Sequence, residues 1–563
     1  MDRKALIAII ICGIIMLLYY PFILPLLSPR KPAPEGVKEE VVIPEEPQEE
    51  KAAQVRPKPI QTQPQEDIHL KDVVIENELV RMVWTNEGAA VKSVELKRFK
   101  DTETKGILDL VKKDVETTYL PLAIDNIFQE EDFRRRRYIV REQTRDKVVF
   151  TTSLGEGINI IKTVSLPPHK YHVGMDIVLE NTTDTDLSLT YDLIASSLIA
   201  EEGEPSADMA AVAGLDTGGA RVKLLRTALK NLPFKNESVG ITWAGSMNKY
   251  FATVLKPSSG ELIKFINAQA LNESGALSGE EAKNGNFIVS LHTNKFRLPS
   301  QGTAKQSYLY FMGPKKEEVL EQYDTLEVLL SYGWLSSISK VLLSFLNAVH
   351  RMIPNYGVSI IILTIIIKAL LFPLTRKSQV SMFRMQQLQP MINQLKEKYK
   401  HDKQKMGKEQ MLLFKKYGVN PMSGCFPMLL QLPVFFALFR TLQLSFEMRQ
   451  APFVLWIDDL SRPDTLMMLP FHIPLLGNSL NILPLIMTGA SFAQMKLTPK
   501  APATDPQAQA QQKMMSFMPI MFAFILYSMP SGLTLYWTVS TVLSIIEGII
   551  IRKSLGKIKP KYK

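Results

Sequence analysis

The amino-acid sequence predicts a polytopic α-helical membrane protein with a large antiparallel β-sandwich domain outside the membrane. Three observations lead to this fold class. Six apolar runs are each close to the length of about 20 residues that crosses a bilayer. Between the first and second runs, short segments of alternating polarity are separated by turn residues, a pattern typical of strands. The net charge of +10 is also concentrated in two short segments, as membrane topology requires.

The first apolar run, Ala5–Leu27, follows the residues MDRK and is longer than the apolar core of a cleaved signal peptide. Because it also lacks an evident small-residue cleavage site, we predict an uncleaved signal anchor at residues 1–27 that begins in the cytoplasm. Residues 28–67 are rich in Pro, Glu and Gln and poor in apolar residues. This composition predicts an extended, disordered linker.

Alternating runs such as LVRMVWTNEGAAVKSVEL and YHVGMDIVLENTTDTDLSLTYDL continue to residue 323. Their spacing and the lack of long helical stretches predict an antiparallel β-sandwich at residues 68–323. Long domains cross a membrane largely regardless of their own charge, so this domain can lie outside.

An amphipathic helix is predicted within residues 324–354, in the sequence WLSSISKVLLSFLNAVHRMIP. Polar residues, among them Ser339 and Lys340, lie mostly opposite its apolar side. We expect this helix to lie on the outer membrane surface, with packing against the β-sandwich as the alternative. The apolar residues that follow the helical period are Trp334, Ile338, Val341, Leu342, Phe345, Val349 and Met352.

Residues 355–551 contain the other five apolar runs, which with the anchor predict six transmembrane helices. Residues 376–423 contain 11 Lys or Arg against 3 Asp or Glu, and the tail at residues 552–563 has a charge of +6. If the anchor begins inside, both basic segments lie in the cytoplasm, in agreement with the positive-inside rule. The five runs are Tyr356–Thr375, Cys425–Leu444, Ser479–Leu497, Met514–Met529 and Ser531–Ile551.

The basic segment at residues 376–423 has the pattern of a helical hairpin whose two helices join near residues 401–402. Apolar residues form a methionine-rich stripe on each helix. Methionine is a pliable contact for varied apolar partners, although the same stripes could simply hold the two helices together. The candidate contact residues of the hairpin are Met382, Met385, Met391, Met406 and Phe414.

Lys368 lies inside the apolar run IIIKALLFPLTRKSQ, roughly 12 Å from the boundary that Arg376 and Lys377 mark. An ionisable group at this depth is costly and marks a functional site by default. Extension of its side chain toward the cytoplasm is awkward, because helical side chains tilt toward the N-terminus. A water-filled cavity or a carboxylate partner is the better explanation. Glu547, the one acidic residue inside the apolar spans, is the candidate partner, and a purely structural Lys–Glu pair is the alternative.

Small polar residues recur on several of the predicted membrane helices and, together with the lysine, predict a hydrophilic groove. Any one of them could instead hold two helices together through a hydrogen bond. Tyr536 and Trp537 are candidate apolar contacts for a passing transmembrane segment, with packing or interfacial aromatics as the alternative. The candidate groove residues are Lys368, Thr364, Thr375, Gln431, Thr488, Ser491, Thr534, Thr538 and Thr541.

Catalytic and cofactor motifs are not evident in the sequence. It has no G-x-x-x-x-G-K-[ST], G-x-S-x-G or H-E-x-x-H motif, and His169 and His172 lack nearby Cys or paired acids. The two cysteines, Cys12 and Cys425, give no sign of a disulfide framework. We therefore expect no enzymatic activity, no cofactor and no metal site, and the segregated charge argues against a DNA-binding protein.

Four stretches of the chain resemble the YidC/Oxa/Alb family of membrane-protein insertases. The anchor, the acidic linker and the β domain resemble the Gram-negative branch of that family, whose periplasmic domain is a β-supersandwich. The four stretches are YGVSIIILTIIIKALLFPLTRKSQVSMFRMQQLQP, KKYGVNPMSGCFPMLLQLPVFFALF, RQAPFVLWIDDLS and FMPIMFAFILYSMPSGLTLYWTVS.

The resemblance implies a five-helix insertase core whose hydrophilic groove opens to the cytoplasm and to lipid but is closed toward the periplasm. It puts Lys368 at the position of the groove's single positive charge, where many relatives have arginine. Lysine keeps the charge but loses the bidentate geometry. The implied location is the inner membrane of a Gram-negative bacterium, with both termini in the cytoplasm.

Nascent membrane proteins are the substrates that the resemblance implies, and the Sec translocon is an implied partner. The basic hairpin and tail imply contacts with the ribosome or signal-recognition targeting factors, with anionic lipids as the alternative for the tail. Two other classes remain open from the residues alone. One is a transporter or channel with an intramembrane lysine, and the other is a scaffold whose β domain binds a partner.

Overall fold

The computed structural model describes residues 68–554. The predicted anchor at 1–27, the linker at 28–67 and most of the basic tail at 552–563 lie outside the described residues. Gaps within the described range fall at residues 103, 114, 128–131, 155–156, 198, 201–208, 219–221, 239, 259–261, 279–284, 331–335, 401, 421–425, 474–475 and 499–505.

The first part of the described chain is built from strands that alternate buried and exposed side chains. In the strand His172–Asn181, for example, Val173, Met175 and Ile177 are buried while the residues between them are not. The strands are β1 Asp72–Glu76, β2 Val80–Thr85, β3 Ala90–Lys100, β4 Ile107–Asp109, β5 Ile124–Asp125, β6 Ile139–Gln143, β7 Lys147–Ser153, β8 Ile158–Ser165, β9 His172–Asn181, β10 Leu187–Leu189, β11 Asp192–Ser197, β12 Ala210–Leu215, β13 Lys223–Ala228, β14 Phe234–Asn236, β15 Ile241–Met247, β16 Phe251–Pro257, β17 Ile263–Leu271, β18 Leu277–Ser278, β19 Phe287–Thr293, β20 Phe296–Leu298 and β21 Thr303–Pro314.

Antiparallel pairing joins these strands into three main sheets. The largest has nine strands in the order β13-β12-β15-β16-β21-β9-β8-β7-β6. A six-stranded sheet, β14-β17-β19-β11-β5 with β18 beside β17, packs through β11, β17 and β19 onto β15 and β16 of the nine-stranded sheet. Strands β1 to β4 form a four-stranded sheet. This β-rich domain with sheets packed face to face agrees with the sandwich that the alternating pattern predicts.

The second part of the described chain is mainly helical. A further pair of strands, β22 Thr465–Ile473 and β23 Gly477–Asn481, lies within it. The helices are α1 Glu317–Leu320, α2 Ser336–Met352, α3 Tyr356–Gln387, α4 Gln389–Lys398, α5 Lys403–Tyr417, α6 Phe426–Leu444, α7 Leu483–Leu497, α8 Pro506–Tyr527 and α9 Ser531–Ser554.

Two helices among the described residues, α3 and α9, are long and apolar enough to cross a membrane by themselves. Helix α8 contains a shorter apolar segment, Ser516–Tyr527. The fold is therefore a β-rich domain followed by a helical core, while the count of six spans stays a prediction.

The predicted cytoplasmic hairpin is formed by the end of α3 together with α4 and α5. Helix α3 continues through the basic boundary at Arg376 without a break and ends near Pro390. The carboxylate of Asp402 accepts the backbone N–H of Lys405 at 2.9 Å and so caps the start of α5. Helix α4 ends at Lys398 and α5 begins at Lys403, on either side of the predicted junction.

The side of α2 that faces the helical core contains one of the residues named above as polar. Ser339, expected on the polar side, is fully buried, and its hydroxyl donates to the carbonyl of Ala437 on α6 at 3.3 Å. Leu343 and Leu346 are buried beside it, whereas Ile338 and Val341 of the predicted apolar side are exposed. A small residue such as Ser339 lets two helix backbones approach closely, and this contact decides which side of α2 faces the core.

The loop before α7 also differs from the prediction. The sequence puts an apolar run at Ser479–Leu497, but Ser479 belongs to β23 and the helix begins at Leu483. The carboxylate of Asp464 accepts the backbone N–H of Leu483 at 2.6 Å, and Pro484 follows in the first turn. Both features favour a helix start at this point.

Candidate functional site: a polar region around Lys368

Apolar packing is concentrated at one end of the helical core. Helix α9 packs against both α3 and α7 there. The loop after α6 covers this end, and its Met448 and Leu460 are fully buried. We call this region the packed end. The buried apolar residues of the packed end are Leu346, Ile360, Leu363, Leu438, Leu442, Met448, Ala451, Ile457, Leu460, Leu483, Met487, Leu526, Leu533, Leu535 and Tyr536.

Beyond the packed end, the helices bury few apolar side chains. Among residues 365–382 of α3, all of which the structure describes, the buried residues are Thr375 and Ser378. Residues 542–550 of α9, also described throughout, contain no buried residue. The core is thus closed by apolar contacts at one end and open along the following half of α3 and α9, where exposed apolar side chains such as Leu370 and Ile546 accompany the polar ones.

Lys368 lies in this open half, and its side chain is half-buried. Its Nζ donates to the Oγ of Ser544 on α9 at 2.8 Å. The same Oγ donates its own proton to the carbonyl of Ser540 at 2.9 Å, so a lone pair of Ser544 faces the ammonium. Within the described chain Lys368 has no ion-pair contact, although Glu547 is near enough to interact with it electrostatically.

The hydroxyl groups of the candidate groove residues donate to carbonyls of their own helix. A carbonyl cannot donate, so each of these protons is committed to the preceding turn. Among the hydrogen bonds of the described residues, none of these hydroxyls joins two helices, whereas the side chains of Lys368 and Gln431 do, each through a residue of α9. The bonds are Thr364 to Ile360 at 2.6 Å, Thr375 to Phe372 at 3.2 Å, Thr488 to Pro484 at 2.7 Å, Ser491 to Met487 at 2.9 Å, Thr534 to Pro530 at 3.5 Å, Thr538 to Thr534 at 2.7 Å and Thr541 to Trp537 at 2.9 Å.

The candidate groove residues are not equally accessible. Thr364 and Thr534 are buried in the packed end, whereas Thr488 and Ser491 are partly exposed. The side chain of Lys368 on α3 contacts α9 directly, at Ser544.

The predicted aromatic contacts lie at the border of the packed end. Tyr536 is fully buried and accepts a hydrogen bond from the side-chain amide of Gln431. Trp537 is partly buried, with ring centroids 5.0 Å from Phe435 and 4.9 Å from Phe522. In this conformation both aromatic rings pack within the helical core.

Gln379 is a polar group that the sequence analysis missed. Its Oε1 is buried without a hydrogen-bond partner among the described residues, and an ideal Cβ at Gly548 of α9 would lie 3.8 Å from it. The basic pair Arg376–Lys377 suggested that the helix had left the membrane region before this point. The signal that could have found Gln379 is its position eleven residues after Lys368, on the same side of α3.

The predicted cytoplasmic hairpin has a small apolar cluster that contains Met385 and Phe414 of the candidate contacts. Met382 and Met406 are partly buried, and Met391 is 38% exposed, away from the cluster. On α5 an open groove of about 510 Å³ is lined by Lys408, Met411, Leu412, Phe414, Lys415, Val419 and Asn420.

Comparisons with known proteins cover almost the whole described chain. Residues 72–345 match the family described as YidC periplasmic domain, and residues 348–558 match the family described as 60Kd inner membrane protein. A solved structure titled "Active YidC insertase crystal structure with the first transmembrane domain resolved" covers 84% of this chain and 92% of its own at 20% identity. Its TM-score of 0.34 is too low to define the fold.

Curated relatives align over most of their own length. The membrane protein insertase YidC of Pelobacter propionicus is 32% identical over 572 residues, which cover 98% of this chain and 99% of the relative. That of Syntrophobacter fumaroxidans is 33% identical over 503 residues, covering 85% and 86%. On the strength of these alignments, this chain belongs to the YidC family of membrane protein insertases.

Proposed function

We propose that this protein inserts newly made proteins into the inner membrane of a Gram-negative bacterium, through a hydrophilic groove that carries Lys368. One observation carries the proposal. The helical core is closed by apolar packing at one end. Where that packing stops, the Nζ of Lys368 lies 2.8 Å from the Oγ of Ser544.

Such a groove shortens the distance over which a polar tail must cross hydrocarbon without water. Moving a short polar tail across about 30 Å of hydrocarbon is costly because its backbone and charges lose water. A water-filled half-channel leaves only the packed end to cross. The apolar part of the client then moves sideways into lipid, where burial of about 20 apolar residues completes insertion without a nucleotide.

Lys368 attracts an acidic or polar tail into the groove. Because it has no ion pair among the described residues, its charge is available to a client carboxylate. The neighbouring Ser544 orients the ammonium without neutralising it. The pairing with a client stays transient, because the groove is hydrated and a hydrated ion pair is weak.

The proposed orientation has the β domain in the periplasm and the basic hairpin in the cytoplasm. From Tyr356 to Arg376, α3 rises about 30 Å, the thickness of the hydrocarbon core. The β domain contacts the helical core near the start of α3, whereas the basic hairpin follows its end. This arrangement obeys the positive-inside rule.

The proposed partners are client proteins and, for some of them, the Sec translocon, with insertion also occurring without it. The basic hairpin, with its exposed groove on α5, and the basic tail are proposed contacts for the ribosome, for signal-recognition targeting factors or for anionic lipids. These contacts depend on clusters of Lys side chains and should weaken as salt increases.

Insertion of a small client with an acidic N-terminal tail into vesicles tests the charge of Lys368. The variants are Lys368→Arg, Lys368→Ala and Lys368→Glu, with Lys377→Ala as the matched control on the exposed continuation of the same helix. We expect arginine to keep most of the activity and alanine to lower the rate about tenfold, which corresponds to about 1.4 kcal/mol. Glutamate should be the least active, because it repels the tail.

Equal insertion by all three variants would overturn the proposed role of the charge. A purely structural role predicts that the yield of folded protein falls while the folded fraction remains fully active. A transporter or channel predicts a flux of small solute or ions that depends on Lys368 without any client, which empty vesicles would reveal.

A further inference from the structure

The strands β22 and β23 form a hairpin between α6 and α7, which we call the apolar hairpin. Residues 465–481 contain no Asp, Glu, Lys or Arg. The side chains of Leu466, Met467, Met468 and Phe471 are all exposed, to 45%, 52%, 62% and 60%. A charge-free surface with four large exposed apolar side chains close together in the chain marks an interaction site.

This hairpin has no third strand and no helix over either of its faces among the described residues. Strand β22 pairs with β23 alone, from Thr465 opposite Asn481 to Ile473 opposite Gly477. An isolated two-stranded hairpin is marginally stable in water and needs packing on at least one face. The described residues therefore leave a face that something else must cover.

The base of the apolar hairpin is firmly attached to helix ends at the packed end. Asn481 is buried, and its side-chain amide donates to the carbonyl of Tyr527, the last residue of α8, at 2.7 Å. The hydroxyl of Tyr527 donates to the carbonyl of Ser479 at 2.8 Å. The carboxylate of Asp464 caps α7 at Leu483. The hairpin is thus held at the ends of α7 and α8.

The ends of α7 and α8 that hold the apolar hairpin lie at the level of one boundary of the membrane region. The loop that precedes the apolar hairpin also meets the start of α3, where the side-chain amide of Asn355 donates to the carbonyl of Phe453 at 2.9 Å. The other boundary lies about 30 Å along α3, at Arg376. Other exposed apolar side chains belong to the same level, notably Met352 and Leu455, each 84% exposed. The hairpin continues an apolar belt around this end.

The occupant that fits this position is lipid at the headgroup level, and not the hydrocarbon core of the bilayer. The outer edges of both strands carry unpaired backbone N–H and C=O groups, which are not tolerated in the hydrocarbon core. At the headgroup level, water and lipid oxygens can satisfy those edges while the side chains reach the acyl chains. Helix α7 has 15 residues and rises about 22 Å, so the bilayer beside it must thin. The apolar hairpin extends the apolar surface there.

We propose that the apolar hairpin lies in the outer leaflet, at the boundary between headgroups and acyl chains, with Met468 and Phe471 in contact with lipid. It anchors the packed end at a fixed depth and covers the short side of the helical core next to α7. This inference depends on the membrane position of the core and not on whether the core inserts clients.

Lipid contact is measured with a fluorescent label on single cysteines at Met468 and at Phe471. Cys12 and Cys425 are first replaced by Ser, and the full chain is reconstituted in phosphatidylcholine vesicles with brominated acyl chains. Leu370→Cys on α3, where leucine is 77% exposed, is the lipid control. Ile107→Cys on β4 is the matched water control, since Ile107 is an apolar side chain with a similar exposure of 57%.

Labels on the apolar hairpin should be quenched several-fold more by bromines near the ester end of the acyl chain than by bromines near its methyl end. The label at Ile107 should respond to aqueous iodide and not to bromolipid. Iodide quenching at both hairpin positions equal to that at Ile107 would overturn the proposal. So would a label shielded from both quenchers, because a second copy of the chain or another protein would then cover the hairpin. Two labelled positions keep the test valid if one variant fails to fold.

Discussion

Lys162 is a lysine in the middle of β8 with no exposed surface. Its Nζ donates to the carbonyl of Ala89 at 2.8 Å and to the carbonyl of Leu122. The ring of Trp84 lies 5.9 Å from the ammonium, and no carboxylate pairs with it among the described residues. Burial disfavours the charged form and lowers the pKa of Lys162 to about 7. The β domain therefore holds a titratable group that changes charge near neutral pH.

We expect the stability of the β domain to increase with pH above neutrality because of Lys162. The unfolded chain keeps this lysine protonated up to its ordinary pKa of 10.5, whereas the folded chain releases the proton above about 7. Between those values the unfolded state binds more protons, so the free energy of unfolding rises, by at most about 1.4 kcal/mol per pH unit. The fluorescence of Trp84 and its neighbours during thermal unfolding in detergent measures the effect.

The control is Lys162→Met, which keeps most of the apolar stem but cannot titrate. The difference in unfolding temperature between the two proteins should shift in favour of the lysine form as the pH rises from 7 to 10. A difference that does not change with pH would show that Lys162 keeps one protonation state in the fold.

Ser544 offers a second test at the scale of a single side chain. Ser544→Ala removes the acceptor that lies 2.8 Å from the Nζ of Lys368. A hydrogen bond to a charged group contributes about 1.5–3 kcal/mol, but groove water can replace most of it. We therefore expect client insertion to fall a few-fold, less than for Lys368→Ala. Ser554→Ala, at the exposed end of the same helix, should leave insertion unchanged, and an equal loss in both variants would contradict this role of Ser544.

At the scale of elements, α3 begins against the loop after α6 with almost no space between them. An ideal Cβ at Gly357 would lie 2.0 Å from the Cδ2 of Phe453. The side chain of Asn355 caps the same helix start by accepting the backbone N–H of Val358 at 3.1 Å. This glycine is therefore fixed by the close approach of a ring, and the loop sets the position of the helix that carries Lys368.

Replacing Gly357 by Ala should lower the stability of the helical core by about 1–3 kcal/mol, because either the ring or the helix must move. Thermal unfolding in detergent, followed by circular dichroism, measures the loss. Gly489→Ala on α7 is the matched control, since nothing lies within 4 Å of its ideal Cβ. In that helix interior alanine should be neutral or up to about 1 kcal/mol stabilising. Equal effects in the two variants would contradict the steric explanation.

Elements could be predicted from the sequence where their apolar pattern depends on a single surrounding, either the protein core or lipid. The alternation in β9 has a single core to face, and α3 and α9 are apolar enough to span a membrane. Helix α2 was harder, because both its buried Leu343 and its exposed Val341 are apolar. The pattern identifies apolar positions but not whether protein or lipid covers them. The apolar hairpin was not predicted, since only the end of β23, from Ser479, belongs to the predicted membrane run and β22 lies before it.

The candidate site was predictable in its charge but not in its shape. The depth of Lys368 and the spacing of the hydroxyls follow from helical geometry alone. Which hydroxyls bond within their own helix, and where apolar packing stops, depends on how closely the helices approach. Thr534 and Thr541 are both threonines on the same side of α9. Thr534 nevertheless lies within the packed end, whereas Thr541 lies nearer to Lys368.

At the scale of the whole molecule, Phe446 connects the helical core to the β domain. It follows α6 and enters an aromatic cluster of the β domain, with ring centroids 5.3 Å from Phe99, 5.8 Å from Tyr250 and 5.4 Å from Phe251. The side-chain amide of Gln450 adds a hydrogen bond to the carbonyl of Lys100 at 3.0 Å. The two parts are thus held together by one buried ring and its polar surroundings.

Phe446→Ala should loosen the β domain from the helical core without unfolding either part. Truncating a buried phenylalanine costs about 3–5 kcal/mol, and here most of that loss falls on the contact between the parts. Spin labels at Ile107 and Leu455, both exposed, would report the distance between them by pulsed electron resonance. We expect a narrow distribution to become broad. Val454→Ala, on the exposed part of the same loop, should leave it narrow, and a narrow distribution in Phe446→Ala would exclude the ring as the main connection.

The hydroxyl groups of the candidate groove residues already donate to nearby carbonyls, so they can accept further hydrogen bonds but not donate them. Ser491, Thr538 and Thr541, for example, each donate to a carbonyl one turn earlier in their own helix. Such hydroxyls offer a passing chain lone pairs but no protons. In the proposed groove, backbone N–H groups of an extended client would find acceptors along the way, whereas its C=O groups would find a donor mainly at Lys368. Water would then have to donate to those carbonyls. The proposed function therefore requires a hydrated groove, because a dry one would leave the client's C=O groups without donors.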